Sequence, residues 1–420
     1  MTGLVILAVY LALFFGAYFA VVAVRSSMAK VSDFTSLKTV TFGDESAVRP
    51  DRMASLISVV VVFLVWGAFT GSKLVPIHVP GPFMGQTEFT YTATAPDGAT
   101  SDGTVRVLVH EMGEDVADPE PAADTGFAVS DVATVAAWRS VLIPASRNDG
   151  EDVTVTLVEG QAISPGDTVS VPNGSVTMTR KGSLNFSPDS GLQMEAIWMP
   201  PPEAVAAQLV DIAVNGYQNV SLWEHVGWSL WRVLAGFVLG SLIGIPLGYA
   251  MGLSGWARGW FDPIVEFMRP VPPLALIPLV IIWFGIGENG KIVLLFLAAL
   301  WVMIISARAG VSGVNITKVH AAYSLGASKW QVLRHVIVPN SLPEIFTGAR
   351  VAMGVCWGTV VAAELVAAEK GAGKMIVAAS KFQATDIVIM GIVLIGIIGF
   401  AIDIFMRKAE AWLVPWKGQS

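Results

Sequence analysis

Charge is scarce in this sequence. Only 14% of its 420 residues are Asp, Glu, Lys or Arg, where an ordinary soluble domain carries about 25%. A chain so poor in charge, with a mean hydropathy of +0.62, cannot cover itself with polar surface, so a bilayer must cover part of it. Cysteine is almost absent. The single Cys356 sits in an apolar run, which excludes a disulfide framework and any cysteine-based metal site. Histidine is equally thin: His110 is the one histidine between Glu88 and Glu195. With no nucleophile or metal constellation beside it, that stretch offers no site for covalent chemistry. No catalytic residue, no metal site and no nucleic-acid partner are expected.

What the chain has in quantity is long apolar runs. Leu4–Val24 and Met53–Thr70 come first, each long enough to span. Arg25, Lys30, Lys38, Arg49 and Arg52 lie between them and place residues 27–52 in the cytoplasm. The first run lacks the basic start of a signal peptide, so it reads as a retained extra helix (residues 1–26), followed by a second helix over 53–72.

Residues 75–199 differ. Stretches such as Glu88-Phe89-Thr90-Tyr91-Thr92 and Asp152-Val153-Thr154-Val155-Thr156-Leu157 alternate polar and β-forming residues. Turn signals separate them, among them Pro96-Asp97-Gly98 and Pro172-Asn173-Gly174. Seventeen acids against five bases from Glu88 to Glu195 give a net charge of −12, leaving +5 for the rest of the chain. This is an acidic, mostly β insert, outside the cytoplasm by the span count.

After Pro200-Pro201-Pro202 the main block (200–420) holds five further apolar runs: Trp228–Leu253, Val271–Gly285, Ile292–Ala307, Ile345–Ala368 and Ile387–Met406. The intervening Arg258, Arg269, Arg308–Arg350 and Arg407-Lys408 then all fall inside. The expected fold class is an all-α polytopic membrane bundle of about seven transmembrane helices carrying an extracytoplasmic β insert. In the first of the five runs Gly236, Gly240, Gly244, Gly248 and Gly252 recur every four residues. That spacing forms a smooth ridge for close helix packing.

Between the third and fourth of these runs lies an amphipathic stretch, 314–340, that is no further span. His320-Ala321-Ala322 opens a short helix, Gly326-Ala327 supplies a turn, and a second short helix is expected to stop before Pro339. Such an elbow suits docking to a soluble partner. Gly285-Ile286-Gly287-Glu288-Asn289-Gly290-Lys291 has phosphate-loop glycines, but Ile292 replaces the magnesium-binding hydroxyl and no strand precedes it, so it reads as a tight turn. Glu364 is an ionisable residue inside an apolar run and, with Trp357, is a candidate for the transport path.

The elbow resembles the coupling signature of ATP-binding-cassette importer permeases: Glu-Ala-Ala, three residues, Gly, nine residues, Ile-x-Leu-Pro. Ala321, Ala322, Gly326, Val336, Val338 and Pro339 match it, and His320 departs where glutamate is usual. Phe267–Ala275, Ile282–Gly287, Val361–Leu365 and Leu413–Gly418 resemble the taurine, sulfonate and nitrate group, the last of these taurine permeases in particular. The extra helix and the β insert depart from that pattern. The resemblance implies a permease of the bacterial inner membrane for taurine or a related sulfonate, with nitrate, an alkanesulfonate or a pyrimidine precursor as alternatives. It implies an ATPase subunit holding ATP and magnesium, a periplasmic solute-binding protein, a second permease copy and surrounding lipid. No cofactor is expected in this chain. A secondary transporter would instead show paired mid-membrane charges and inverted repeats, and the sequence displays neither.

Overall fold

A computed structural model describes residues 2–28, 52–124, 126–149 and 152–416. The expected cytoplasmic loop at 27–52 lies almost wholly outside the described residues, as do Lys417 and Gly418. The chain divides into two compact units, Met1–Glu203 and Ala204–Ser420.

The first unit opens with α1 (Thr2–Met28) and α2 (Arg52–Thr70), which meet through the rings of Tyr10 and Phe69, 4.8 Å apart. Nine strands follow: β1 (Gly85–Thr94), β2 (Thr100–His110), β3 (Asp131–Ala136), β4 (Val141–Ile143), β5 (Thr154–Val158), β6 (Gln161–Ala162), β7 (Thr168–Val171), β8 (Gly174–Met178) and β9 (Leu184–Pro188). They make a five-stranded sheet, β3-β2-β1-β5-β6, and a four-stranded sheet, β4-β9-β8-β7. All pairings are antiparallel except β2 with β3. The period-2 pattern read from the sequence sends Phe89 and Tyr91 of β1 and Val105, Val107 and Val109 of β2 inward. Val176, Leu184 and Phe186 of the other sheet join them in one core. Phe89 stacks on Phe186 across the two layers at 5.9 Å, as inner faces of a sandwich do.

A narrow neck joins the sandwich to α2. The Phe83 amide donates to the Asp189 carbonyl (2.9 Å) and the Met194 amide to that of Phe69 (2.8 Å). Trp66, near the end of α2, donates its indole N–H to the Pro200 carbonyl (3.0 Å). Glu203 accepts from the Ser72 hydroxyl (2.6 Å) and the Lys73 amide (2.8 Å).

The helices continue as α3 (Pro202–Asn215), α4 (Leu222–Leu253), α5 (Gly255–Met268), α6 (Ile277–Phe284), α7 (Glu288–Ser312), α8 (Ile316–Ser324), α9 (Lys329–Val332), α10 (Val338–Ala367), α11 (Ala372–Lys381) and α12 (Thr385–Leu413). In the second unit α4 lies along α7 at very short range. A Cβ on Gly236, Gly240, Gly244, Gly248 or Gly252 would come within 2.3–2.9 Å of Leu295, Ala299, Met303, Ile304 or Val311. Only hydrogen at these five positions lets the two backbones approach so closely. Ala298, Ala299 and Met303 of α7 also share a core with Ala352, Met353 and Cys356 of α10.

Among the described residues, five helices are long and apolar enough to cross a membrane: Met53–Thr70, Leu222–Leu253, Glu288–Ser312, Lys329–Leu365 and Thr385–Leu413. The first apolar run supplies a shorter segment, Ala8–Val24. The expected span at Val271–Gly285 is not one continuous helix. Pro270, Pro272 and Pro273 break it into a 3-10 turn (Pro273–Leu276) and the eight-residue α6, bent by 92° from α5. Counting that pair as one span gives six, so helix length alone does not reproduce the expected seven.

Candidate functional site: an elbow and a buried charge network

The elbow is built by local rules. Asn315 caps α8, its side chain accepting from the Thr317 amide at 2.9 Å. Gly326 then turns the chain with φ +83°, and no atom lies within 4 Å of where its Cβ would be. Glycine is needed there for backbone conformation, not for space. Ser328 starts α9 with a capping box: the Gln331 side-chain oxygen accepts from the Ser328 amide (2.8 Å) and the Ser328 hydroxyl from the Gln331 amide (3.4 Å).

The second short helix was expected to stop at Pro339, and it does not. A π turn over Leu333–Ile337 leads directly into α10, with Pro339 in its first turn. Proline removes one N–H donor from the helix, and the π turn before it, with its altered hydrogen-bond spacing, carries the chain past that gap. His320, Ala321 and Gly326 are exposed, and Ala322, Ala327 and Pro339 are half-buried. Around them Leu325 is 89% exposed and Trp330 67%. An apolar rim of this kind is costly in water and fits a partner's groove.

The other end of the bundle carries a second constellation. Glu288 begins α7 and Glu364 lies in the last turn of α10, so both lie at the helix ends remote from the elbow. Arg232 of α4 forks onto Glu288, Nε to Oε2 at 2.6 Å and Nη2 to Oε1 at 2.8 Å. Its Nη1 reaches Glu364 Oε1 (2.7 Å) and the Lys370 carbonyl (2.8 Å). Lys291 Nζ donates to Glu288 Oε1 at 2.8 Å. The side chains of Arg232 and Glu364 are 1% and 0% exposed.

Glu364 is held on every side. Ser229 donates its hydroxyl to Oε1 (2.8 Å) and accepts from the Ala372 amide (3.0 Å). The Gly373 amide at the start of α11 donates to Oε2 (2.9 Å), where the helix's unpaired N–H groups favour a negative charge. His225 Nδ1 lies 3.0 Å from both the amide and the carbonyl of Gly371. Gly371 adopts φ +145°, and its Cβ would strike Glu364 Cδ at 2.3 Å. One carboxylate thus ties α4, α10 and the entry to α11 together.

Glu364 therefore faces the bundle interior in this structure. Trp357 is also buried, its indole N–H donating to the Ile395 carbonyl of α12 at 3.1 Å. The structure brings Glu364 together with Arg232, which sequence reasoning did not single out, and with Glu288 and Lys291, which it read only as part of a tight turn. The available signal was charge in an apolar helix: Arg232 stands in the same run as the glycine ridge. Lys291, a lysine of the phosphate-loop look-alike, is engaged by Glu288 instead.

The profile of the binding-protein-dependent transport system inner membrane component family matches residues 236–414, all within the second unit. The taurine transport system permease protein TauC of Escherichia coli (strain K12) is 48% identical over 224 residues, covering 53% of this chain and 82% of that protein. The putative aliphatic sulfonates transport permease protein SsuC of the same strain is 37% identical over 218 residues, covering 52% and 81%. The bicarbonate transport system permease protein CmpB of Synechococcus elongatus is 33% identical over 201 residues, covering 48% and 72%.

Proposed function

This chain belongs to the binding-protein-dependent transport inner-membrane component family, and on that basis we infer that it is the permease subunit of an ATP-driven importer for taurine or a related small sulfonate. The carrying observation is the 48% identity to a taurine permease over 82% of that protein's length. In this reading the chain catalyses no reaction. A separate ATPase subunit binds ATP and magnesium, hydrolyses the nucleotide and docks at the elbow, where Leu325 and Trp330 offer an apolar rim. A binding protein delivers solute from outside. ATP-driven closure of the ATPase pair moves the elbow, and the bundle alternates its access.

The path forms between two permease copies. Within the second unit, α10 offers a face for the second copy. Val351, Gly354, Gly358 and Leu365 recur along α10 and are exposed, while Ala352, Met353, Cys356 and Val360 between them are packed inward. Glu364 and Trp357 serve the path from behind, by fixing the helices that line it.

The test is reconstitution of the chain with its ATPase and binding protein in vesicles. ATP-dependent uptake of labelled taurine is expected, blocked by excess taurine and alkanesulfonate and not by excess bicarbonate or nitrate. Uptake blocked by bicarbonate or nitrate but not by taurine would overturn the sulfonate assignment. Uptake driven by an ion gradient without the ATPase would overturn the importer.

A further inference from the structure

Two buried cations share one exposed carboxylate at the start of α7. The side chains of Arg232 and Lys291 are 1% and 7% exposed, whereas Glu288, which bridges them, is 41% exposed. The two carboxylates on Arg232 are thus unequal. Glu364 is enclosed and fixed by the Ser229 hydroxyl and the Gly373 amide. Glu288 sits at the rim, and among the described residues its side chain bonds Arg232 and Lys291 alone.

Glycines in open space precede Glu288. Gly285 has φ +73°, and no atom lies within 4 Å of a Cβ on Gly285 or Gly287. Beside Lys291 lies a shallow pocket walled by Ile277, Val280, Ile286, Leu294 and Ala363. Removing Glu288 from this place would leave two desolvated cations with a single buried counter-ion, so another anion must take over. A sulfonate carries the same single charge and presents its oxygens to the arginine fork as a carboxylate does. Exchange of one for the other leaves the buried charge balanced.

We propose that Arg232 and Lys291 form an anion subsite for the sulfonate group of the solute, with Glu288 as the resident counter-ion that the solute displaces. This deepens the sulfonate-import reading and rests on it. Taurine also carries an ammonium group two carbons from its sulfur, and the displaced Glu288 carboxylate remains at the rim to meet it. Glu288 therefore competes with the sulfonate end of any ligand and attracts the ammonium end of taurine alone.

The test is binding of methanesulfonate and taurine to the detergent-purified permease–ATPase complex, without binding protein, by saturation-transfer NMR. In Glu288→Gln the charged competitor is gone, so methanesulfonate should bind at least about tenfold more tightly than in the parent. Taurine should gain less, because its ammonium partner is lost, so preference shifts toward methanesulfonate. Adding Lys291→Met to Glu288→Gln should abolish the gain, and Glu288→Asp should behave as the parent. A merely structural Glu288 would not alter the ratio of the two ligands. No binding of either ligand to Glu288→Gln, or equal gains for both, or a gain that survives Lys291→Met, overturns the subsite. If the parent imports no sulfonate with its binding protein, the importer's substrate assignment fails. Lysine-dependent methanesulfonate binding in Glu288→Gln would still stand as an anion site.

Discussion

At the residue scale the decisive object is Glu364, a carboxylate with no exposed surface inside an apolar bundle. Its charge is tolerable because Arg232, Ser229 and the Gly373 amide supply every interaction that water would. Removing one partner of such a pair costs about 3–5 kcal/mol, while replacing both by apolar groups costs far less. Arg232→Met alone should therefore lower the unfolding temperature of the purified chain sharply. Arg232→Met with Glu364→Met should recover a large part of the loss. If the two changes simply add, the pair is not coupled.

Gly371 and Gly326 form a second contrast. Gly371→Ala puts a methyl group into Glu364 and should prevent stable assembly. Gly326 has open space but a left-handed backbone, so Gly326→Asn should keep uptake and Gly326→Val should lose it. Uptake unaffected by Gly326→Val would remove the turn from the mechanism. Glu364 was legible in the sequence as a charge in an apolar run. Its partners were not, because Arg232 stands 132 residues away and only helix adjacency decides which charges meet.

At the element scale, α4 and α7 are held by absence of side chain. The four-residue glycine period in α4 was plain in the sequence, but nothing there named α7 as the helix it meets. Gly248 faces the Ile304 carbonyl, 2.5 Å from where its Cβ would lie, and a backbone atom cannot be moved cheaply. Gly248→Leu should abolish folding into the membrane, measured by protease resistance. Gly354 on α10 meets nothing within 4 Å inside one chain. Gly354→Leu should leave the single chain stable and, if a second copy packs there, should abolish dimers in cross-linking. Dimers that persist would place the second copy elsewhere. The broken α5–α6 pair shows why apolar runs and spans need not correspond one to one: hydropathy registers apolar length, while proline decides whether that length is one helix. The pair is pinned to α7 through Arg308, which bonds Asp262 and Glu266 of α5, polar links that an apolar-run search passes over.

At the scale of the whole molecule, the β unit was legible as strands and turns because alternation and turn residues are local signals. Its acidic interior was not. Tyr91 donates its hydroxyl to Asp149 (3.0 Å), and Asp131, beside Asn148, has a buried oxygen with no hydrogen-bond partner among the described residues. Burial, assisted by neighbouring acids, raises the Asp131 carboxyl to about 6, above its range of about 4 in an unfolded chain. Between those values the folded state binds the extra proton, so this group's contribution to stability is fully present below about pH 4 and is lost as pH rises through about 6. Hydrogen exchange in β1–β3, corrected for intrinsic rates, should show stronger protection at pH 5 than at pH 7. Asp131→Asn should flatten that difference, and an unchanged difference would assign it to other groups.

The same unit hangs on a neck closed by the Phe83–Asp189 hydrogen bond, so residues 84–188 can be exchanged for a short Gly/Ser linker. If this acidic unit steers a binding protein, the exchange should raise the binding-protein concentration for half-maximal uptake and weaken its salt dependence. Unchanged values would make the unit a bystander in delivery.

The unbroken helix from the elbow has a mechanical meaning. Lys329–Leu365 runs as one continuous helical segment of 37 residues, about 55 Å along its path at 1.5 Å per residue. A joint ending at Pro339 would have given slack between the elbow and the bundle. The π turn instead makes the elbow the handle of a lever whose far tip is Glu364. Tilting that handle by about 5° sweeps the tip through about 5 Å over such a length, more than the width of any ion pair there. On the coupling reading proposed above, a push at the elbow would be read out at the other end as an opened or closed grip on Arg232.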